Sequence, residues 1–142
     1  MPSFALGGPV PGHEGRFIGP VPNAEERAAA AILYVALMTD LSLDIIGSQN
    51  AIVIDGGLIK THIYTSLLAA LRPDQTVHTS VNAEGSAFGA AAIVFDTLGS
   101  NPFVNDCHTA LPASIPGLAE YKLEWRQHVD QLISGGFVEQ NA

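Results

Sequence analysis

The sequence is poor in cysteine and in basic residues, and each shortage excludes a class of protein. A single cysteine, Cys107, excludes an internal disulfide, which suits a reducing compartment such as the cytoplasm. Only 6 lysine and arginine residues stand against 14 aspartate and glutamate residues, which gives a formal net charge of −8. A surface of that sign repels phosphate backbones and anionic lipids, so we expect neither nucleic acid nor a membrane surface as a partner.

Long apolar runs and a signal peptide are also absent from the sequence. The longest apolar run, residues 28–38, is shorter than the roughly 20 residues of a membrane span and is bracketed by charged residues. The chain opens on Met1-Pro2-Ser3 without the features of a secretory signal. With 47% hydrophobic and 14% charged residues, the 142-residue sequence can bury a core and predicts a single domain over residues 1–142.

The first half of the chain predicts two strands and a long helix. Asn23 followed by Glu26 has the form of a capping box, so a helix is expected from there to about Ile46, stopped by Gly47. Its residues 28–38 are apolar on nearly every face, which favours burial on most sides. A short strand is predicted over residues 16–19, and the β-branched run 51–54 predicts a strand buried on both faces.

The second half predicts a short strand over residues 76–80 and three helices: one over about 61–71, one starting near Glu84, and one from Leu118 to Gly135-Gly136. Residues 99–116 are mostly polar, contain three prolines, and are expected to form a long loop. Strands that alternate with helices predict an α/β fold with a small, mostly parallel sheet flanked by helices. A sheet of only three strands leaves exposed edges, so either part of the sheet is missing or another chain pairs with an edge.

Asp55-Gly56-Gly57 ends the predicted strand 51–54 and leads into a helix through Lys60 and Thr61. Glycines let the backbone turn sharply and let a flat ligand approach closely. Ligands of open α/β sheets bind beyond the carboxyl ends of the strands, where helix starts offer free N–H groups. The spacing matches neither the dinucleotide-binding fingerprint nor the phosphate loop. Taken alone, the motif is more typical of an ordinary turn with Asp55 as a local cap.

A run of small residues follows Glu84 at the start of the third predicted helix, including Gly85, Ser86 and Gly89. Small side chains let a helix approach another backbone closely. That backbone is expected to be the Asp55-Gly56-Gly57 turn if the two motifs form one site. If the run serves ordinary packing, it is expected to be the helix that contains residues 28–38.

Together the two motifs resemble the C-terminal lobe of the FGGY carbohydrate kinases, relatives of actin, hexokinase and the 70-kDa heat-shock chaperones. That family carries a Gly-Gly-x-x-Lys-Ser stretch after a strand and then a Glu-x-x-Ala-x-Gly-Ala-Ala helix. The first is matched here by Gly56, Gly57, Lys60 and Thr61, with Tyr64 at an aromatic position. The second is matched by Glu84, Ala87, Gly89, Ala90 and Ala91. Upstream, residues 14–19 look like the family's Arg-Gly-x-x-x-Gly hairpin.

The resemblance implies a ribonuclease-H-like, actin-type ATPase lobe and an ATP-dependent kinase that transfers the γ-phosphoryl group to a sugar or polyol hydroxyl. It implies that Gly56, Gly57, Lys60 and Thr61 contact ATP, and that Mg²⁺ arrives with the nucleotide. The family's catalytic aspartate, first phosphate loop and most sugar contacts belong to an N-terminal lobe that nothing in this sequence matches. The chain is therefore expected to be a truncated second lobe, inactive alone, with the missing lobe as its partner.

The chain departs from the family pattern at two positions of the glycine motif. Some members have a third glycine where Leu58 stands, and some have asparagine where Thr61 stands, which puts the details of the adenine contact in doubt. A reading from another class also remains open, in which the chain is a non-catalytic α/β interaction module that forms a homodimer through its sheet edges. The five histidines show no zinc-like spacing, and no metal site is predicted.

Overall fold

The structure is a computed structural model that describes residues 10, 17–60, 62–81, 85–99 and 106–136. The elements in chain order are α1 (Ala24–Ile45), β1 (Ile52–Ile54), a 3₁₀ turn (Gly56–Lys60), α2 (His62–Leu71), β2 (Val77–Ser80), α3 (Gly85–Thr97), β3 (Cys107–Thr109) and α4 (Leu118–Gly136). They fall into two compact units. One contains α1 and α4, and the other spans Gly47–Ser114. The single domain expected over residues 1–142 stays a prediction.

The Gly47–Ser114 unit is built on a three-stranded sheet in the order β1-β2-β3. The first two strands are parallel, with Ile52 opposite Val77, and the third is antiparallel to the second, with Ser80 opposite Cys107. The predicted α/β class is therefore confirmed, but the sheet is mixed rather than mostly parallel. Its third strand lies inside the segment 99–116 that was predicted to be a loop. A three-residue strand is too short to show the alternation of apolar and polar residues by which a strand is identified in a sequence. Pairing with β2, which is distant in the sequence, makes these residues a strand.

The hydrophobic core of this unit lies under α2. Its predicted apolar face is confirmed, because Tyr64, Leu67, Leu68 and Leu71 are all buried. Val77 in the central strand is also buried and lies in the strand that α2 packs against. Each such aliphatic side chain contributes about 1.5–3 kcal/mol when it leaves water. The helix ends at Leu71, shortly before Pro73, because proline has no backbone N–H to continue the helical hydrogen bonds.

β1 is less buried than its sequence predicts. Ile52 and Ile54 are buried, but the Val53 side chain between them is 54% exposed. The prediction of a strand buried on both faces is wrong, because the face of β1 that carries Val53 is left largely uncovered. A run of β-branched residues indicates a strand but does not tell an edge strand from a central one.

The boundaries predicted for α1 are confirmed. The Asn23 side chain accepts a hydrogen bond from the Glu26 N–H at 2.9 Å, and the Glu26 carboxylate accepts one from the Asn23 N–H at 2.8 Å. This reciprocal pair is the predicted capping box. Gly47 has φ +66° just beyond the other end, a left-handed conformation that favours glycine and breaks the helix.

The burial predicted for α1 is wrong. Its buried residues are Ala36, Leu37, Asp40 and Leu41, whereas Ala28 and Ala29 are exposed. The only large element described in the same unit is α4, and one partner helix covers only one stripe of an apolar helix.

α1 is also long and apolar enough to cross a membrane by length and composition, although the core helix of a soluble protein passes the same test. Asp40, which is 0% exposed, accepts hydrogen bonds from Lys122 at 2.9 Å and from Arg126 at 2.6 Å on α4. A fully buried carboxylate requires such paired cations, so this part of α1 packs against α4. The sequence carried a signal for it, since Asp40 interrupts an apolar helix and Lys122 and Arg126 are four residues apart.

The strand predicted over residues 16–19 is not found. Arg16 lies outside the described residues, and the following residues 17–19 belong to no strand or helix. Phe17 and Ile18 are 55% and 69% exposed. Prolines at 20 and 22 follow directly, and proline cannot donate to a sheet ladder.

Candidate functional site

The two strand-to-helix connections of the Gly47–Ser114 unit leave the sheet at the carboxyl ends of β1 and β2, which together form the carboxyl edge of the sheet. β1 and β2 are parallel, and Ile54 at the end of the first is in register with Thr79 near the end of the second. Asp55-Gly56-Gly57 follows β1, and α3 begins at Gly85 after β2. The carboxyl edge of parallel strands is where open α/β sheets hold their ligands.

The turn after β1 has the geometry that its glycines predict. Gly56 has φ +80°, a left-handed conformation in which any side chain is strained. Its N–H donates a hydrogen bond of 2.6 Å to the Asp55 carboxylate, so the local capping role predicted for Asp55 is confirmed. One 3₁₀ turn, Gly56–Lys60, then carries the chain to α2, whose observed span His62–Leu71 agrees with the helix predicted over about 61–71.

Space is open around the two glycines. A Cβ atom built on Gly56 or on Gly57 meets no atom within 4 Å in the part of the chain that the structure describes. Leu58 is 45% exposed, and His62 at the start of α2 is exposed, as a surface helix residue should be. Among the described residues, the space beside both glycines is therefore open, which leaves room for a flat group to approach the turn.

The other two predicted ligand residues are described only in part. Lys60 is the last residue of the 3₁₀ turn, so its backbone stands just before α2, and its side chain lies outside the description. Thr61 lies entirely outside the described residues. A nucleotide-binding role for Gly56, Gly57, Lys60 and Thr61 remains a prediction, for which the turn supplies the backbone geometry.

The helix of small residues is present, but the close approach expected of it is not found at Gly89. Helix α3 spans Gly85–Thr97, and a Cβ built on Gly89 has no described neighbour within 4 Å. Ala87 and Ala90 are exposed. Glu84 and the side chain of Ser86 lie outside the described residues, so no contact is assigned to that end of the helix.

α3 instead presents exposed apolar side chains. Ile93 is 71% exposed, Val94 is 58% exposed and Leu98, just beyond the helix, is 71% exposed. In the sequence, Leu98 recurs at helical spacing with Ala91 and Phe95. Helical spacing identifies an apolar face but does not show whether another element covers that face.

A concavity of about 390 Å³ lies beside the C-terminal end of α2 and the start of β2. It is lined mainly by alanine, proline and backbone around Ala69, Pro73, Thr76 and Ala110, and contains no titratable side chain. Nothing in its lining suggests chemistry. Among the described residues, no group of three or more histidine, cysteine, aspartate or glutamate side chains could hold a metal ion. The carboxyl edge with its glycine turn therefore remains the candidate site.

Comparison with known proteins bears on this site. Residues 1–102 match the family described as the C-terminal domain of the carbohydrate kinase FGGY family. Among solved structures, a carbohydrate kinase from Novosphingobium aromaticivorans is 32% identical to the chain and superposes with a TM-score of 0.73. The similarity covers 90% of this chain and 27% of that kinase, so the chain spans about a quarter of its length. No protein of curated function matches.

Proposed function

The chain belongs to the FGGY carbohydrate kinase family, whose C-terminal domain it matches, and from this we propose that it is the nucleotide-binding part of an ATP-dependent sugar or polyol kinase. The observation that carries the proposal is the Asp55-Gly56-Gly57 turn. It combines a left-handed glycine, open space at two successive residues and a position at the carboxyl edge of two parallel strands. Such an edge is the usual place for a nucleotide in an α/β sheet.

Each predicted ligand residue has a distinct task in this proposal. Gly56 and Gly57 let adenine and ribose approach the backbone where any side chain would obstruct them. Lys60 brings a positive charge next to the helix start, and Thr61 brings a hydroxyl group. ATP brings Mg²⁺, which offsets charge on the phosphates during phosphoryl transfer. The acidic net charge of −8 does not oppose binding, because backbone N–H groups and the nucleotide's own cation act locally.

The remainder of the catalytic machinery is proposed to come from an N-terminal lobe. A catalytic aspartate there deprotonates the acceptor hydroxyl, and that lobe holds most of the sugar. The 142-residue chain alone is then inactive as a kinase. A cytoplasmic location fits a protein that uses ATP and has a single cysteine.

Nuclear magnetic resonance titration with Mg·ATP tests the site, since it registers weak binding by half a cleft. We expect saturable shifts of the backbone amide signals of Gly56, Gly57 and Lys60. The amide of Gly47 serves as the control, because Gly47 also has a positive φ but precedes β1 in the chain, whereas the candidate turn follows it. Shifts that are absent at millimolar ATP, or that are equal at Gly47, would contradict the proposal.

A further inference from the structure

One side of α4 is buried, and the side next to it is not. Leu118 and Val129 are buried, on the side of the helix from which Lys122 reaches α1. Helical spacing groups four further residues on the neighbouring side, which we call the outer stripe: Tyr121, Trp125, His128 and Leu132. Its two ends, Tyr121 and Leu132, are 48% and 39% exposed, His128 is also exposed, and Trp125 is half-buried. The outer stripe is therefore a largely uncovered seam of mostly apolar side chains.

The spacing of the outer stripe is the same when it is read in either direction. Its members are 4, 3 and 4 residues apart, which is the alternation of a seam between two packed helices. An antiparallel second copy of α4 would therefore place Tyr121 opposite Leu132. The same register places Trp125 opposite His128, so that every member of the stripe meets another member. An interface between identical copies about a twofold axis requires this kind of self-complementarity.

The residues beside the outer stripe also fit an antiparallel copy. Glu120 and Glu124 lie along one flank in the first half of α4, and Gln131 lies along the same flank in the second half, all of them exposed. In an antiparallel pair about a twofold axis, this flank meets its own copy. Gln131 of one copy then falls between Glu120 and Glu124 of the other, where its amide can donate to their carboxylates. In a parallel pair the flank would instead face the side of the other copy that α1 occupies.

We propose that the outer stripe of α4 is a homodimer interface, in which the α4 helices of two copies pack antiparallel. The two α1–α4 pairs then stand side by side, as in a four-helix bundle. This inference does not rest on the proposed function, and the surface is not one of the sheet edges.

The dimer is expected to be weak. A contact limited to one helix of each copy is smaller than the roughly 1,200–2,000 Å² of a stable interface. Each copy also carries a net charge of −8, and the resulting repulsion opposes association. We therefore expect a dissociation constant of about 10–100 μM, which falls as added salt screens the repulsion.

Sedimentation equilibrium of the 142-residue chain, from about 1 μM to 1 mM, tests the interface. Trp125 is the only tryptophan of the sequence, so its emission should shift to shorter wavelength over the same range as the dimer forms. Leu132→Glu should raise the dissociation constant by about 10-fold or more. Leu123→Glu is the matched control, because Leu123 is 64% exposed on the same helix but lies off the outer stripe, and its dissociation constant should stay unchanged. A chain that is monomeric at 1 mM, or a dimer weakened equally by both folded variants, overturns the inference.

Cross-linking tests the antiparallel register in chains that retain Leu132 or Tyr121, and so does not depend on the folding of Leu132→Glu. In a Cys107→Ser background, chains with Tyr121→Cys are mixed with chains with Leu132→Cys and treated with a short bismaleimide. We expect the mixed pair to cross-link about 10-fold faster than either variant alone, because only the mixed pair brings two thiols together at high effective concentration. Cross-linking that is fastest within one variant alone, or equally slow in all three samples, overturns the inference.

Discussion

Asp40 of α1 and Arg126 of α4 are 86 residues apart in the sequence, and the carboxylate of the first accepts a 2.6 Å hydrogen bond from the guanidinium of the second. Asp40 is completely buried, and Lys122 binds its other carboxylate oxygen. Arg126 also donates to Asp44, one turn further along α1. The family match ends at residue 102, so α4 lies beyond it. This ion-pair cluster joins α4 to α1, and α4 also buries Leu118 and Val129.

Asp40→Asn should destabilise the protein by about 3–5 kcal/mol, because it removes the buried carboxylate that pairs with Lys122 and one of the two carboxylates that pair with Arg126. The free energy of unfolding from urea titration, followed by circular dichroism, measures the effect. Asp44→Asn is the matched control. Its carboxylate also binds Arg126 but is 49% exposed, so the loss should stay below about 1 kcal/mol. Equal losses for the two variants would show that burial of Asp40 is not what gives the cluster its strength.

Asn23→Ala should destabilise the protein by about 0.5–2 kcal/mol, because it removes the side-chain oxygen that caps the helix by accepting from the Glu26 N–H. Glu26→Ala removes the reciprocal hydrogen bond from the Asn23 N–H instead and leaves the Asn23 cap in place, so its effect should be smaller. Gln127→Ala on the exposed side of α4 serves as the control for loss of a polar side chain from a helix. The same urea titration measures all three, and an Asn23→Ala variant indistinguishable from Gln127→Ala would contradict the assigned role of the cap.

Much of the fold could be predicted because its signals are local. A capping box, a β-branched run and an apolar stripe each depend on residues close together in the chain, and α1, β1 and α2 were placed correctly from them. What could not be predicted depends on distant partners. β3 is a strand because Cys107 lies opposite Ser80, and Val53 is exposed because its face of β1 is left largely uncovered. Neither fact can be predicted from the residues that are close to those positions in the sequence.

The candidate site divides in the same way. The turn at Gly56-Gly57 could be predicted from two glycines after a strand, and the positive φ of Gly56 agrees. The expected approach of the small-residue helix could not be read from composition. A glycine such as Gly89 permits close contact but does not produce it, and open space surrounds its built Cβ among the described residues. Small residues determine how closely a helix can approach another backbone, whereas the packing of the larger side chains determines where the helix lies.

Gly56→Ala should destabilise the protein by about 1–2 kcal/mol, because a left-handed φ brings a Cβ too close to the backbone. Gly57→Ala provides the matched control at the adjacent residue. Gly57 does not have a positive φ, and its Cβ would meet no described neighbour, so the free energy of unfolding should change by less than about 0.5 kcal/mol. Equal effects at the two positions would contradict the strained turn.

The purified 142-residue chain should release no ADP from ATP in the presence of pentoses, hexoses or polyols. The reason is chemical: the chain is proposed to hold the nucleotide, while the base that activates the acceptor hydroxyl belongs to another lobe. A coupled ADP assay across the three substrate classes measures it, with the whole Novosphingobium aromaticivorans kinase as the positive control for the assay. Turnover that copurifies with the chain and disappears in Gly57→Val would show that the chain contains a complete active site.

Gly57→Val should weaken nucleotide binding without unfolding the chain. The valine side chain would fill the open space beside the turn, where adenine and ribose are proposed to lie, so the dissociation constant for Mg·ATP should rise by about 10-fold or more. No described atom lies within 4 Å of the new Cβ, and the thermal midpoint should therefore stay close to that of the unmodified chain. In a kinase that contains this domain, the KM for ATP should rise far more than the KM for the sugar. Ala119→Val, at an exposed position of α4, controls for added bulk and should change neither constant. A folded Gly57→Val variant that binds ATP as tightly as Ala119→Val would place the nucleotide elsewhere.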